Sequence, residues 1–225
     1  MTGAGIGGGL ACAVARLALG LFAFVLVTWG LGEAWISLIG SAEVDFMQDL
    51  AAGRGQAGIE VARTVTWAGS AVVLVPLCAV CCFVLARAGR PGEAITLALT
   101  LGGAILIANL GKALVDRPRP AVEHLQHVSG PSFPSGHATQ AGAFWASLLL
   151  LMISWPVSPR KVWLAWLSVV VIVVAVAWSR LYLGVHYPSD VIAGAAIGAC
   201  WAVFARWALV SRRAVETLPR AAGVS

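Results

Sequence analysis

Three short stretches of this chain hold the residue types that can grip and transfer a phosphate-like anion. Lys112 is followed after six residues by Arg119-Pro120, and Pro134-Ser135-Gly136-His137 comes next. Ser179-Arg180 is then followed after five residues by His186 and after three more by Asp190. A guanidinium forks onto two oxygens of a tetrahedral oxyanion, and an ammonium adds a compact point charge. Lys112, Arg119 and Arg180 therefore suit three sides of a phosphoryl group. Ser135 adds a hydroxyl, and Ser179 sits beside Arg180. Gly136 lets the backbone approach and offer its N–H, and a helix starting just past His137 would add its positive end. Such a cradle stabilises charge on a phosphoryl group in transfer by itself, so no metal or other cofactor is expected.

The two motif histidines have separable jobs. His186 and Asp190 are four residues apart, so one helical turn between them lets the carboxylate face one ring nitrogen and fix the tautomer. The other nitrogen then points its lone pair outwards, as a nucleophile toward phosphorus needs. His137 has no acidic neighbour in its motif and is left to protonate the leaving oxygen and later to activate water.

Taken singly, these residues have ordinary explanations. An interfacial histidine is usually incidental, and cations at span ends usually extend their stems along apolar surface; Arg87, Arg160 and Arg212 are read that way. His124 and His127 fit no motif and are read as loop residues. Asp116 and Arg117 are expected to pair locally or face water. Arg117-Pro118 competes with Arg119-Pro120, and the spacing from Lys112 selects Arg119. The five cysteines, Cys12, Cys78, Cys81, Cys82 and Cys200, all lie in apolar runs and are read as packing. Three spaced motifs, each at a span end, are a different matter: ionisable groups bordering apolar spans are costly unless they function.

The elements that must position them are apolar. Of 225 residues, 60% are hydrophobic and 11% charged, with mean hydropathy +0.88; a soluble domain carries about twice that charge fraction. The net charge of +5 is scattered between spans and forms no stripe, so nucleic acid is not an expected partner. Apolar runs near the roughly 20 residues needed to cross the hydrocarbon cover about 10–31, 65–85, 94–114, 139–155, 163–178 and 191–209. The first is long and has a weak positive flank, which favours a retained span over a cleaved signal peptide. Residues 33–63 read either as short amphipathic helices, around Val44, Met47 and Leu50 and then Ile59 and Val61, or as a polar loop with helical ends. Pro76 is the expected kink of the second span. Gly194 and Gly198 suit a close helix crossing, within the bundle or with a neighbour. The fold class is an all-α integral membrane protein, one six-helix domain over residues 1–225.

Six spans put the basic turns at Arg87/Arg90 and Arg160/Lys161 and the tail at Arg212/Arg213 on one side, which the distribution of basic residues makes cytoplasmic. All three motifs then meet at the opposite, extracytoplasmic interface of the cell membrane, with both termini in the cytoplasm.

At these residues the sequence resembles the type 2 phosphatidic acid phosphatase (PAP2), or lipid phosphate phosphatase, superfamily. The signature Lys-x6-Arg-Pro, Pro-Ser-Gly-His and Ser-Arg-x5-His-x3-Asp is matched without departure over about the last half of the chain. Upstream, Thr66-x-x-Gly69-Ser70 and the span count are similar. The resemblance implies a six-helix core and a metal-independent phosphatase. It implies a phosphohistidine on His186 oriented by Asp190, His137 as general acid, and a phosphate cradle of Lys112, Arg119, Ser135, Gly136, Ser179 and Arg180. It implies a lipid phosphate substrate in the bilayer: phosphatidate, phosphatidylglycerol phosphate, diacylglycerol pyrophosphate or a polyprenyl pyrophosphate. The alternative on the same site is a phosphotransferase passing the phosphoryl group to a lipid or sugar. A non-enzymatic relic is opposed by the intact His137, His186 and Asp190.

Overall fold

The structure is a computed structural model that describes residues 4–210, with side chains from 11 to 209. The basic tail with Arg212, Arg213 and Arg220 lies outside the described residues. The described chain is helical: α1 (Ala4–Ala52), α2 (Gln56–Val65), a 3-10 turn (Thr66–Gly69), α3 (Ala71–Arg87), α4 (Pro91–Val115), α5 (Gly136–Ile153), α6 (Pro159–Tyr182) and α7 (Pro188–Val210). Five helices are long and apolar enough to cross a membrane, and six spans result when the bent pair Gln56–Gly69 and Ala71–Arg87 counts as one.

Helix starts follow local chemistry. α4, α6 and α7 each begin with proline, whose fixed φ suits the first helical position and whose missing N–H costs nothing there. Ser135 begins α5 as its N-cap, its hydroxyl accepting from the Ala138 N–H at 3.5 Å. α4 ends on Asp116, left-handed at φ 46°, a conformation that Asp tolerates better than most residues. Pro118 then keeps the chain from resuming the helix.

Two expectations need correction. The polar stretch after the first span holds a short helix where Ile59 and Val61 suggested one, α2, but its first part is neither a loop nor a separate short helix: α1 continues through it to Ala52, for 49 residues, or about 73 Å at 1.5 Å per residue. Residues 33–52 contain no proline and good helix formers, and the helix stops only at Gly53-Arg54-Gly55. α1 therefore outruns a hydrocarbon core of about 30 Å and carries Glu43 and Met47, both buried, to the motif end of the bundle. The second span bends by 42° at its Gly69-Ser70 break, while Pro76 lies within α3. Ser70 caps α3 by accepting the Val72 N–H. Gly69 is needed at the bend because a Cβ there would stand 2.7 Å from the His137 carbonyl oxygen and 2.6 Å from a Val176 methyl carbon.

α5 and α7 form the tightest pair. A Cβ on Gly194 would meet the Ser135 carbonyl at 2.8 Å, and one on Gly142 or Gly198 would collide with backbone of the opposite helix. Small residues at such crossings let dispersion and close backbone packing replace the hydrophobic drive that lipid cannot supply. Gly194 and Gly198 thus serve the chain's own bundle. Beside them Trp201 packs over Gly103 and donates its indole N–H to the Thr100 carbonyl at 2.9 Å. Outward faces carry Val72, Phe83, Trp163, Leu164, Val171 and Val174, all exposed, as a lipid-facing surface requires. The turns after α3 and α5 lie together at the end opposite the motifs, where the Arg90 guanidinium stacks on Trp155 at 4.6 Å. The N-terminal part of α1 reaches the same end, with Arg16 over Trp207.

Candidate active site

The site is built where the ends of α4 and α6 meet the starts of α5 and α7. Lys112, in the last turn of α4, donates to the Pro131 carbonyl at 2.6 Å. Arg119, in the α4–α5 loop, donates to the carbonyls of Val185 at 2.7 Å, Gly130 at 2.9 Å, Ser129 at 3.1 Å and Pro131 at 3.3 Å. Arg180, in the last turn of α6, is 1% exposed. Its Nη1 donates to Thr66 Oγ1 at 2.8 Å and to the Gln126 carboxamide oxygen, and its buried Nε has no partner. Among the described residues these three cations meet only neutral oxygens. Their charges are oriented but not neutralised. Burial pulls the Arg119 guanidinium below its ordinary value while Asp190 opposes the shift.

His186 lies in the short loop between α6 and α7, 2% exposed. Its Nδ1 is 3.5 Å from Asp190 Oδ2, an orienting contact too long for a well-formed hydrogen bond. Burial pushes the imidazole down to about 3, against the pull of Asp190 in the other direction, so the ring is neutral at neutral pH with a lone pair available. His137 sits one residue into α5, within the electrostatic reach of Arg180, His186, Lys112 and Arg119. Gly136 stands open, the nearest atom to an added Cβ being the Gln140 amide nitrogen at 3.7 Å, which leaves its N–H approachable at the positive start of α5.

The sequence-predicted residues therefore gather, with two qualifications. The Ser179 hydroxyl donates to its own helix, to the Val176 carbonyl at 2.6 Å, so its proton is turned away from the cradle. Ser135 is buried as a helix cap. His124 and His127 are exposed in the α4–α5 loop, His124 bonded to the Pro120 carbonyl at 2.9 Å, as their lack of a motif suggested.

Arg117 overturns its expected place. Its side chain is 4% exposed and neither faces water nor pairs with Asp116. Nη1 donates to Asp190 Oδ1 at 2.8 Å and Ser189 Oγ at 2.7 Å, and Nη2 to Glu43 Oε2 at 2.7 Å. The guanidinium also stacks on Tyr187 at 4.1 Å. Asp190 Oδ2 accepts from Ser132 Oγ and the Tyr187 N–H, each at 2.8 Å. Sequence reasoning missed Glu43, Arg117, Ser132 and Ser189 here and Gln126 beside Arg180, and it noted Thr66 without giving it a place at the site. The one readable signal was an acidic residue, Glu43, four positions before Met47 on what is the buried face of α1.

A bundle of apolar helices that holds three uncompensated cations against a His–Asp pair defines a class of membrane proteins built to receive an anionic group. The family model for the PAP2 superfamily matches residues 93–214, and the chain belongs to that superfamily. It is a multi-pass membrane protein. A lipid A 1-phosphatase of Rhizobium johnstonii is 36% identical over 133 residues, covering 52% of this chain and 50% of the relative. Phosphatidylglycerophosphatase B of Bacillus subtilis is 30% identical over 145 residues, covering 62% and 69%. The crystal structure of a transmembrane PAP2-type phosphatidylglycerolphosphate phosphatase from Bacillus subtilis superposes with a TM-score of 0.74 at 25% identity, over 90% of this chain and 97% of that one. The chain spans about half the length of the lipid A 1-phosphatase it matches.

Proposed function

We propose that this chain is one PAP2-like membrane domain that hydrolyses a phosphate monoester or pyrophosphate of a lipid through a phosphohistidine on His186. The observation that carries the reading is the pairing of a buried, neutral His186 held by Asp190 at 3.5 Å with three cations that no carboxylate among the described residues pairs with. Membership of the superfamily and the names of the relatives support the substrate class. In the first step the His186 Nε2 lone pair attacks phosphorus, the bond from phosphorus to the lipid oxygen breaks, and protonated His137 gives its proton to that oxygen. Lys112, Arg119, Arg180 and the Gly136 N–H hold the phosphoryl oxygens as charge moves through them. In the second step His137 takes a proton from water, the water oxygen bonds to phosphorus, and the bond to His186 breaks, releasing phosphate.

The cradle lies among helix ends, which suits an amphiphile whose head group reaches the cations while its tails stay in the bilayer. The site faces the extracytoplasmic side, with the termini cytoplasmic. Arg87, Arg90, Arg160 and Lys161 at the opposite end support that orientation. The test is phosphate release by purified protein in detergent with EDTA present. The panel is lipid A, phosphatidate, phosphatidylglycerol phosphate, diacylglycerol pyrophosphate and undecaprenyl pyrophosphate, with His186→Ala alongside. Release that survives EDTA and disappears in the variant is expected. Release retained by the variant would refute His186 as nucleophile.

A further inference from the structure

Asp190 is held by more than its own motif. The carboxylate that orients His186 is bonded on Oδ1 by Arg117 at 2.8 Å, and the other arm of Arg117 is bonded by Glu43 at 2.7 Å. Glu43 comes from α1, which lies outside residues 93–214 matched by the family model. It is 4% exposed and fully engaged. Oε1 accepts the Ser189 N–H at 2.6 Å, and Oε2 accepts the Ser189 hydroxyl at 2.8 Å as well as Arg117. Glu43 thus does two things at once. It caps the start of α7 from another helix, meeting an orphan N–H of the first turn with a carboxylate that the helix dipole favours. It also divides the Arg117 charge between two carboxylates.

The second effect bears on the site. With Glu43 present, Arg117 has a carboxylate on each arm, and Asp190 keeps part of its negative charge for His186. Without that charge, Arg117 would lean on Asp190 alone and draw the carboxylate toward Oδ1, away from the 3.5 Å contact that Oδ2 makes with Nδ1. A charge in this position is expensive to bury unless it is paired and hydrogen-bonded, and packing alone would be met by an apolar residue at position 43. We infer that Glu43, through Arg117, is a positioning residue for the Asp190–His186 pair, so that α1 sets the tautomer and aim of the candidate nucleophile.

This inference rests on the phosphohistidine reading, and its test separates the two. Glu43→Gln keeps the shape and an acceptor for the Ser189 N–H but removes the charge. Partners that orient a reacting group indirectly are typically worth about 10–100-fold. The expected result is a fall of that size in kcat, about 10–100-fold, with KM and inhibition by vanadate each within about threefold of wild type, because the cradle is untouched. Asp45→Asn, on the exposed side of the same helix, should match wild type. Nitrogen-15 NMR of histidine-labelled protein in detergent gives a readout independent of turnover. Wild-type His186 should be the tautomer protonated on Nδ1, and Glu43→Gln should populate the other. Should Glu43→Gln not fold, Glu43→Asp, which keeps the charge and shortens the reach, carries the same measurements with losses in the same direction. An unchanged kcat and tautomer would overturn the inference. So would a loss seen equally in KM and vanadate binding, which would make Glu43 merely structural. A wild type that releases no phosphate from any lipid would bring down the functional reading alone, and the tautomer measurement would still decide this one.

Discussion

Two groups of buried charge meet at His186, and they are built on opposite rules. On one side, Glu43, Arg117, Ser132, Ser189 and Asp190 saturate one another. Every carboxylate oxygen has a donor and Arg117 bridges two acids. On the other, Lys112, Arg119 and Arg180 rest on carbonyls, a hydroxyl and a carboxamide, and the buried Arg180 Nε has nothing. Neutral oxygens aim a cation without cancelling it. The saturated side is a scaffold that fixes geometry. The unsaturated side holds positive potential in a low-dielectric setting, where it acts most strongly on an incoming anion. Cutting the second side should therefore cost turnover without stability, and cutting the first should cost stability together with the aim of His186.

The largest effect is expected on the saturated side. Arg117→Ala leaves Glu43 and Asp190 buried without their shared cation, and removing one partner of a buried pair costs about 3–5 kcal/mol. Thermal or denaturant unfolding in detergent should show that loss, and a stability within 1 kcal/mol of wild type (roughly the value of an exposed pair) would mean the network is not the scaffold described.

Cutting the open side should reverse the pattern. Arg180→Ala removes one anion-holding group, typically worth about 10²–10³-fold in kcat. Because that cation is buried without a counter-charge, unfolding should show stability unchanged or raised. A variant that loses stability and keeps its turnover would erase the distinction between the two sides.

His186 belongs to both sides, and pH probes it. Its value in the folded protein, about 3, lies below the ordinary 6.5, so the unfolded chain takes up the proton more readily. The contribution of a neutral, buried His186 is then present above about pH 6.5 and is lost as pH falls toward 3. Melting temperatures between about pH 7 and pH 4 should fall more steeply for wild type than for His186→Asn. Parallel curves would contradict the buried, neutral imidazole.

The smallest effect concerns the loop. Gln126 supports Arg180 from the α4–α5 loop, and Gln126→Ala should cost about tenfold in kcat/KM, the low end of the roughly 1.5–3 kcal/mol worth of one hydrogen bond to a charged group. A loss as large as that of Arg180→Ala would place Gln126 among the groups that touch substrate.

What could be read from the sequence divides along the same line. The open side was legible because Lys112, Arg119, His137, Arg180 and His186 stand out chemically in an apolar chain and keep fixed spacing, and of the saturated side Asp190 alone shared that spacing. Helices α4 to α7 start and end close to the apolar runs of the sequence, because hydropathy marks such segments, whereas α1 runs well past its apolar run to Ala52. The rest of the saturated side was not legible. Glu43 and Arg117 are 74 residues apart, and each has a plausible local explanation: Glu43 in a stretch with several acids, Arg117 next to Asp116. Only the continuation of α1 to Ala52 brings Glu43 to α7, and helix length is poorly marked where an apolar run gives way to mixed polarity. The bend at Gly69-Ser70 was hidden because its cause is contact with the His137 backbone and Val176, which are distant in sequence. Pro76, the local signal, lies within α3 beyond that bend.

The most direct test of the central claim is to catch the intermediate. The purified protein would be mixed with a turned-over lipid phosphate, quenched in base within a single turnover, and its peptides searched by mass spectrometry for a phosphoryl group on histidine. The account predicts one acid-labile phosphoryl group on His186, absent from His186→Ala. Turnover with no phosphorylated histidine, or with the phosphoryl group on another residue, would contradict it.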